Sequence, residues 1–394
     1  MSHSHHHGHN HDDFSAVIAT FSVERQPGSR VVIKGEIPVA ELAKHESHVL
    51  QELGQDVEIK GFRKGHVPES MLRKHIGEMA LFTEVCEHTL SHMYPAILDQ
   101  HKLDAIGRPT MHAEKVVPGN PFGFRIEISV MPDVVLPDYT AIAKKMNTTK
   151  EDGAVTEKDV EDAIERILRQ KLSYDRLQEK ARARAVAEEA KKQAAKDGLT
   201  LPTPETAVGE TDDTPEDVAS LPLPTLTDEY VKTLGAFESV AAFTAQVKEH
   251  LEVEKKNELM SKHRGALTDA IVEKMTVDLP HVLIQSELSQ MFGQMEEDLA
   301  RAGLTIDGYL AHMQKTREDL EKEWTPTAEK RAKVQLALNE IAKKESIEPD
   351  VDEIEKQAAP LLEQYKDADP LRVRLYVASV LQNDAVMKFL ESAS

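Results

Sequence analysis

The stretch KGFRKGHVPES, residues 60–70, decides how this chain is read. It places one phenylalanine, four basic or potentially basic side chains, two glycines and a proline between two segments with helical periodicity. Gly61 and Gly65 open backbone conformations closed to other residues, and Pro68 stands where the following helix should begin. The expected result is a shaped loop with Phe62, Arg63 and Lys64 at its tip. On charge and aromaticity alone two readings stay open: a docking tip that contacts RNA phosphates or acidic side chains, or a solvated turn whose Phe62 folds back onto the domain.

Working outward, VAELAKHESHVLQELGQDV (39–57) spaces Leu42, His45, Val49, Leu50 and Leu53 as a helix that stops near Gly54. ESMLRKHIGEMALFTEVCEHTLSHMYPAILDQH (69–101) reads as a second helix, with Met71, Leu72, Ile76, Met79, Leu81, Phe82 and Val85 on its apolar side. Before these helices, residues 14–39 carry β-branched residues on both sides of Gln26-Pro27-Gly28-Ser29 and read as a β-hairpin. After them, residues 103–135 return to strands around Pro118-Gly119-Asn120-Pro121. Strands, two helices and strands predict a small α+β domain over residues 14–150.

VTEKDVEDAIERILRQ opens a long helix with a Thr156-Glu-Lys-Asp159 capping pattern ahead of Val160, Ile164 and Leu168. Its Ala-rich, charged second half lacks an apolar stripe and is expected to face solvent. Residues 198–230 then contain no Lys or Arg, but five prolines (202, 204, 215, 222 and 224) among acids, the composition of an extended, self-repelling linker. From residue 226 to 394 helical signals repeat, and five to seven helices are expected, one of them starting at Pro326. The predicted fold is therefore an α+β domain and an all-α C-terminal domain, joined over residues 151–225 by a long helix and an acidic Pro-rich linker.

Composition limits function. With 394 residues, 40% of them hydrophobic, there is enough chain for two or three domains, and aromatics at only 5% suit a helical, lightly packed protein. A net charge of −21 argues against general nucleic-acid binding, so any phosphate contact must be local. The single cysteine, Cys86, excludes an intramolecular disulfide and a thiolate cluster and is expected in the core. No apolar run approaches membrane-spanning length and no secretory signal is recognisable, so cytoplasmic residence without membrane contact is expected. His3, His5, His6, His7, His9 and His11 form a tail (residues 1–13) readable as a divalent-metal chelator, or as a disordered tail or purification tag. Phosphate-binding loops, HExxH, Cys-rich metal spacing and the GxSxG elbow are absent from the sequence. No catalytic residue, metal or cofactor is expected.

GFRKGHVP matches, at Gly61, Phe62, Arg63, Gly65 and Pro68, the GFRxGxxP signature of bacterial trigger factors, and the chain resembles that chaperone family on this ground. LTDEYVKTLGAFESVAAFTAQVKEHLEVE and VDLPHVLIQSELSQMF also look like the family's C-terminal domain, and the resemblance spans roughly residues 14–165 and 224–392. It implies docking beside the ribosomal exit tunnel, on a ribosomal protein and rRNA, by Phe62, Arg63 and Lys64 on a loop shaped by Gly61, Gly65 and Pro68. It also implies shielding of nascent, unfolded polypeptides, with a homodimer possible off the ribosome. The family's FKBP-type prolyl isomerase domain has no counterpart in residues 166–224. That interval holds one aromatic, Tyr174, and no alternating strands, whereas a proline pocket needs several large side chains. Enzymatic activity is therefore not expected, and the alternatives are a diverged isomerase or an acidic helical scaffold that never visits the ribosome. For client binding the candidates are Leu288, Met291, Phe292, Met295, Ile306 and Met313, with Met260 and Met275 nearby, since methionine adapts to varied partners. Each of them taken singly reads as core, and the functional claim is a collective exposed patch.

Overall fold

The computed structural model describes residues 14–57, 59, 62, 66–148, 154–196 and 223–393. The His-rich tail and residues 198–222 of the Pro-rich linker lie outside the described residues. The chain divides into two compact units, one formed by Met1–Ala143 with Thr268–Ala393, the other by Lys144–Leu267.

The first unit begins with a helical turn, α1 (Ser15–Ile18), not with a strand. Phe14, Ile18 and Phe21 recur at helical spacing and all three are buried, so a turn of helix seats them on one side. The hairpin itself is shorter, β1 (Ser22–Gln26) and β2 (Arg30–Ile37), and its turn uses positive φ at Gly28 and Ser29. Next come α2 (Val39–Asp56), α3 (Glu69–Ile76), α4 (Glu78–His101), β3 (Ala105–Lys115) and β4 (Phe122–Val130). The predicted helix over 69–101 is two helices because Gly77 sits at φ 87°, outside the helical region, and its N–H closes α3 on the Arg73 carbonyl.

The four strands form an antiparallel sheet in the order β1-β2-β4-β3. Along β4 the side chains alternate, and Phe122, Phe124, Ile126, Ile128 and Val130 are buried. In β2, Val31, Ile33 and Ile37 lie opposite Ile128, Ile126 and Phe122. This face packs on Leu81, Val85, Cys86, Leu90, Met93 and Ile97 of α4 and on Leu42, Val49 and Leu50 of α2, a two-layer α+β core as predicted.

The rest of this unit comes from late in the chain: α9 (His281–Arg301), α10 (Ile306–Met313), α11 (Arg317–Lys344), α12 (Val351–Gln364) and α13 (Pro370–Ser392). The two parts of the unit are joined locally. β5 (Val134–Val135) pairs with β6 (Thr276–Val277), and the Asp278 carboxylate accepts from the backbone N–H groups of Gly28 (2.7 Å) and Ser29 (3.0 Å). Pro326 does not start a helix but lies within α11. Thr316 and Asp319 cap each other reciprocally ten residues earlier, and that capping box sets the start.

The second unit contains α6 (Glu157–Lys196), α7 (Asp228–Leu234) and most of α8 (Val240–Lys274), while α5 (Tyr139–Asn147) straddles the division. The predicted capping box of α6 forms: Thr156 N–H donates to Asp159 Oδ2 (2.8 Å) and Asp159 N–H to Thr156 Oγ1 (3.2 Å). Those bonds, with Lys255 Nζ at 3.1 Å, hold the Asp159 carboxyl down at about 2. Burial on α6 is confined to its first half, at Val160, Ala163 and Leu168. From Leu177 onward every described side chain is exposed, as the missing stripe predicted.

Candidate functional site

Phe62 stands between α2 and α3. Gly61, Arg63, Lys64 and Gly65 lie outside the described residues, and Phe62 and Pro68 lie within them. The stem is anchored by apolar side chains, since Val57, Ile59 and Val67 pack against the edge of the domain core. The Phe62 N–H donates to the Ile59 carbonyl at 3.0 Å. Phe62 itself remains 40% exposed.

Pro68 has φ −60° and ψ 140°, and its carbonyl accepts from Met71 N (2.9 Å) and Leu72 N (3.1 Å), so it starts α3 as expected. At the base of the loop α2 and α3 nearly touch. A Cβ placed on Gly54 would lie 2.8 Å from Leu72 Cδ1, so the glycine lets that methyl group sit directly against α2. Leu72 is buried in the domain core, and it fixes the line along which the chain re-enters the domain.

The six residues named for client contact do not form one exposed patch. Leu288 and Phe292 are buried, each 4% exposed. Leu288 packs with Ile284, Ala328, Met291 and Trp324, and Phe292 with Leu310, Leu320, Met295, Ile306 and Trp324. Met291, Met295 and Ile306 are half-buried against those clusters, and only Met313 is exposed. Met260 and Met275 are half-buried. Leu288, Met291, Phe292 and Met295 lie on the face of α9 that α10 and α11 cover.

The exposed apolar side chains lie elsewhere. Leu371, Leu375, Tyr376 and Val380 are 64%, 62%, 66% and 46% exposed. They form two i,i+4 pairs, Leu371 with Leu375 and Tyr376 with Val380, in a band that winds round about half of α13 away from the buried Val377, and Tyr365 is exposed just before that helix. Arg374 Nε donates to Glu355 Oε1 at 2.6 Å, tying α13 to α12 beside this stripe. The stripe was legible as apolar residues at i, i+4, i+5 and i+9, but the sequence does not say which face of a terminal helix has a neighbour. Tyr174, the one aromatic of residues 166–224, is 56% exposed and stands on α6. No helix among the described residues is long and apolar enough to cross a membrane.

Comparison with known proteins gives two family matches: "Bacterial trigger factor protein (TF)" over residues 19–167 and "Bacterial trigger factor protein (TF) C-terminus" over residues 239–391. Together they cover most of the chain. Trigger factor from Moorella thermoacetica is 25% identical over 93% of this chain and 92% of its own length. Trigger factor from Macrococcus caseolyticus is 27% identical over 92% of this chain and 95% of its own. A solved structure described as "Promiscuous Substrate Recognition in Folding and Assembly Activities of the Trigger Factor Chaperone" matches with a TM-score of 0.47 at 18% identity, over 95% of this chain and 100% of that one.

Proposed function

The chain belongs to the trigger factor family of ribosome-associated chaperones, and from that premise we propose that the loop between α2 and α3 is its ribosome contact. Phe62 is the apolar anchor, Arg63 and Lys64 bind rRNA phosphate or acidic side chains of an exit-tunnel protein, and Gly61, Gly65 and Pro68 shape the tip. The observation that carries this is an exposed phenylalanine on a loop whose stem is anchored by half-buried apolar residues packed against the core. In an acidic protein the two cations at the tip also concentrate positive charge where phosphate would be met. Ribosome co-sedimentation of wild type against Phe62→Ala/Arg63→Ala/Lys64→Ala tests it, and equal pelleting of the two would remove the docking role.

Clients are held without nucleotide, on apolar surface open to solvent. The stripe on α13, with Tyr365 and Met313, suits this better than Leu288 or Phe292, which are taken up by the fold. A client leaves when it buries its own apolar segments, and the net charge of −21 keeps the protein soluble meanwhile. Off the ribosome, a second copy can cover the same stripe, and sedimentation velocity against concentration would reveal that homodimer. The protein works in the cytoplasm.

Prolyl isomerisation is not part of this function. The two family matches leave residues 168–238 between them, a span with Tyr174 and Tyr230 and a single phenylalanine, Phe237. Acceleration of a proline-limited refolding reaction by this chain would overturn that.

A further inference from the structure

Helices α2 and α4 face each other with five side chains of ligand type: His45, His48 and Glu52 from α2, His88 and His92 from α4. Spacings of three and four residues keep each set on one side of its helix. His48 Nδ1 lies 3.9 Å from Glu52 Oε2, and His88 Nε2 lies 4.0 Å from the same oxygen. One donor atom from each of the three falls within 4.8 Å of the others. The His48 and His88 rings are 5.2 Å apart, and His92 stacks on His88 at 6.3 Å with the planes 7° from parallel.

The fold makes little use of the His88 ring. Its Nδ1 is buried with no hydrogen-bond partner among the described residues, and its Nε2 faces Glu52 beyond hydrogen-bond reach. Glu52 and His48 keep more than half of their side-chain surface in solvent, so an ion has a way in and both ligands have room to turn. Ligands about 2.0–2.1 Å from a tetrahedral zinc ion stand roughly 3.3 Å apart, so each histidine donor needs to close on Glu52 by about 0.6 Å, and the two histidine donors, within 4.8 Å of each other, by about 1.5 Å at most.

We propose that His48, Glu52 and His88 bind one zinc ion, with water in the fourth position and His92 and His45 flanking it. Two imidazoles and one carboxylate are a donor set that suits Zn(II) over Ca(II) or Mg(II), which prefer all-oxygen sites. The ion would cross-link α2 to α4 four residues before α2 ends, independently of what the following loop docks on.

The His-rich tail is a competing chelator, so the test uses the full-length chain carrying H3S/H5S/H6S/H7S/H9S/H11S. After chelator treatment and dialysis it is titrated with zinc chloride by calorimetry, and its thermal unfolding is followed with and without zinc. The expected result is one equivalent bound and a zinc-dependent rise in Tm. H48A and E52Q, both at exposed positions, each weaken binding tenfold or more and remove the rise in Tm, while H312A on α10 changes neither. Absence of binding by the tail-substituted chain, or binding that H48A and E52Q leave intact, overturns the site.

Discussion

Replacing Phe62 with alanine isolates the apolar part of the ribosome contact from its charged part. Phe62 is 40% exposed. A phenylalanine side chain presents about 200 Å² in the open, so about 80 Å² is available to be covered by a partner. At about 25 cal/mol per Å² that burial is worth about 2 kcal/mol, or about 30-fold in Kd. The backbone bond from Phe62 N–H to the Ile59 carbonyl survives the substitution, and the anchoring by Val57, Ile59 and Val67 is untouched. The assay is co-sedimentation with purified ribosomes over a range of protein concentrations, repeated at several salt concentrations, with Tm as a folding control. Phe62→Ala should lower affinity by roughly the stated factor and leave its salt dependence unchanged, because burial of apolar area releases no counterions. Arg63→Ala/Lys64→Ala should do the converse, flattening the slope of log K against log salt by about 0.7–0.9 for each phosphate no longer neutralised. Affinity of Phe62→Ala within twofold of wild type would refute the anchoring role. A salt slope unmoved by the double substitution would refute phosphate binding at the tip.

Leu371→Ser/Leu375→Ser/Tyr376→Ser should impair suppression of aggregation of a refolding model client while moving Tm little, since all three side chains are largely in solvent; full suppression by this variant would clear α13 of a client-binding role. Leu288→Ala, by contrast, removes a buried side chain and should cost about 2–5 kcal/mol in urea unfolding. Burial, with a smaller push from Glu87, raises the Cys86 thiol from 9.0 to about 12, so at pH 8 a disulfide reagent should label the native protein only as fast as it opens. The folded value lies above the unfolded one, so this group's contribution to stability is complete below pH 9 and is lost as pH rises from 9 through about 12. Tyr139 adds in the same direction: burial first, and its hydrogen bond to Glu345, raise it from 10.0 to about 12, and Tyr139→Phe should reduce the steepness of alkaline unfolding above pH 10.

Where a local rule has a local cause, sequence and structure agree. The capping box at Thr156 and Asp159 forms, Pro68 opens α3, and β4 alternates inward and outward residues because one face of the sheet is covered. Where two local signals compete, they part. Phe14, Ile18 and Phe21 adjoin a strong hairpin signal although their own spacing is helical, and Gly77 stands inside an apolar helical pattern that its positive φ interrupts. Pro326 has the chemistry of a helix start, but the capping box at Thr316 has already started that helix. The histidines at 45 and 48 and at 88 and 92 are also visible as helical spacings. Nothing in the linear order says that the two helices present them to each other.

The sequence by itself determined the class of the fold, the loop that carries Phe62 between two helices, and the solvated second half of α6, because each follows from periodicity, capping or charge within a few residues. Only the tertiary structure decided which apolar residues of the helical region are core and which are surface. Leu288 and Phe292 have α10 and α11 against them, whereas Leu371 and Leu375, no less apolar, have solvent. It also decided that Asp278 closes the turn at Gly28 and Ser29, 250 and 249 residues away in the chain. Burial is a property of the neighbours a helix acquires, and a helix's own sequence states which face is apolar without stating what will cover it.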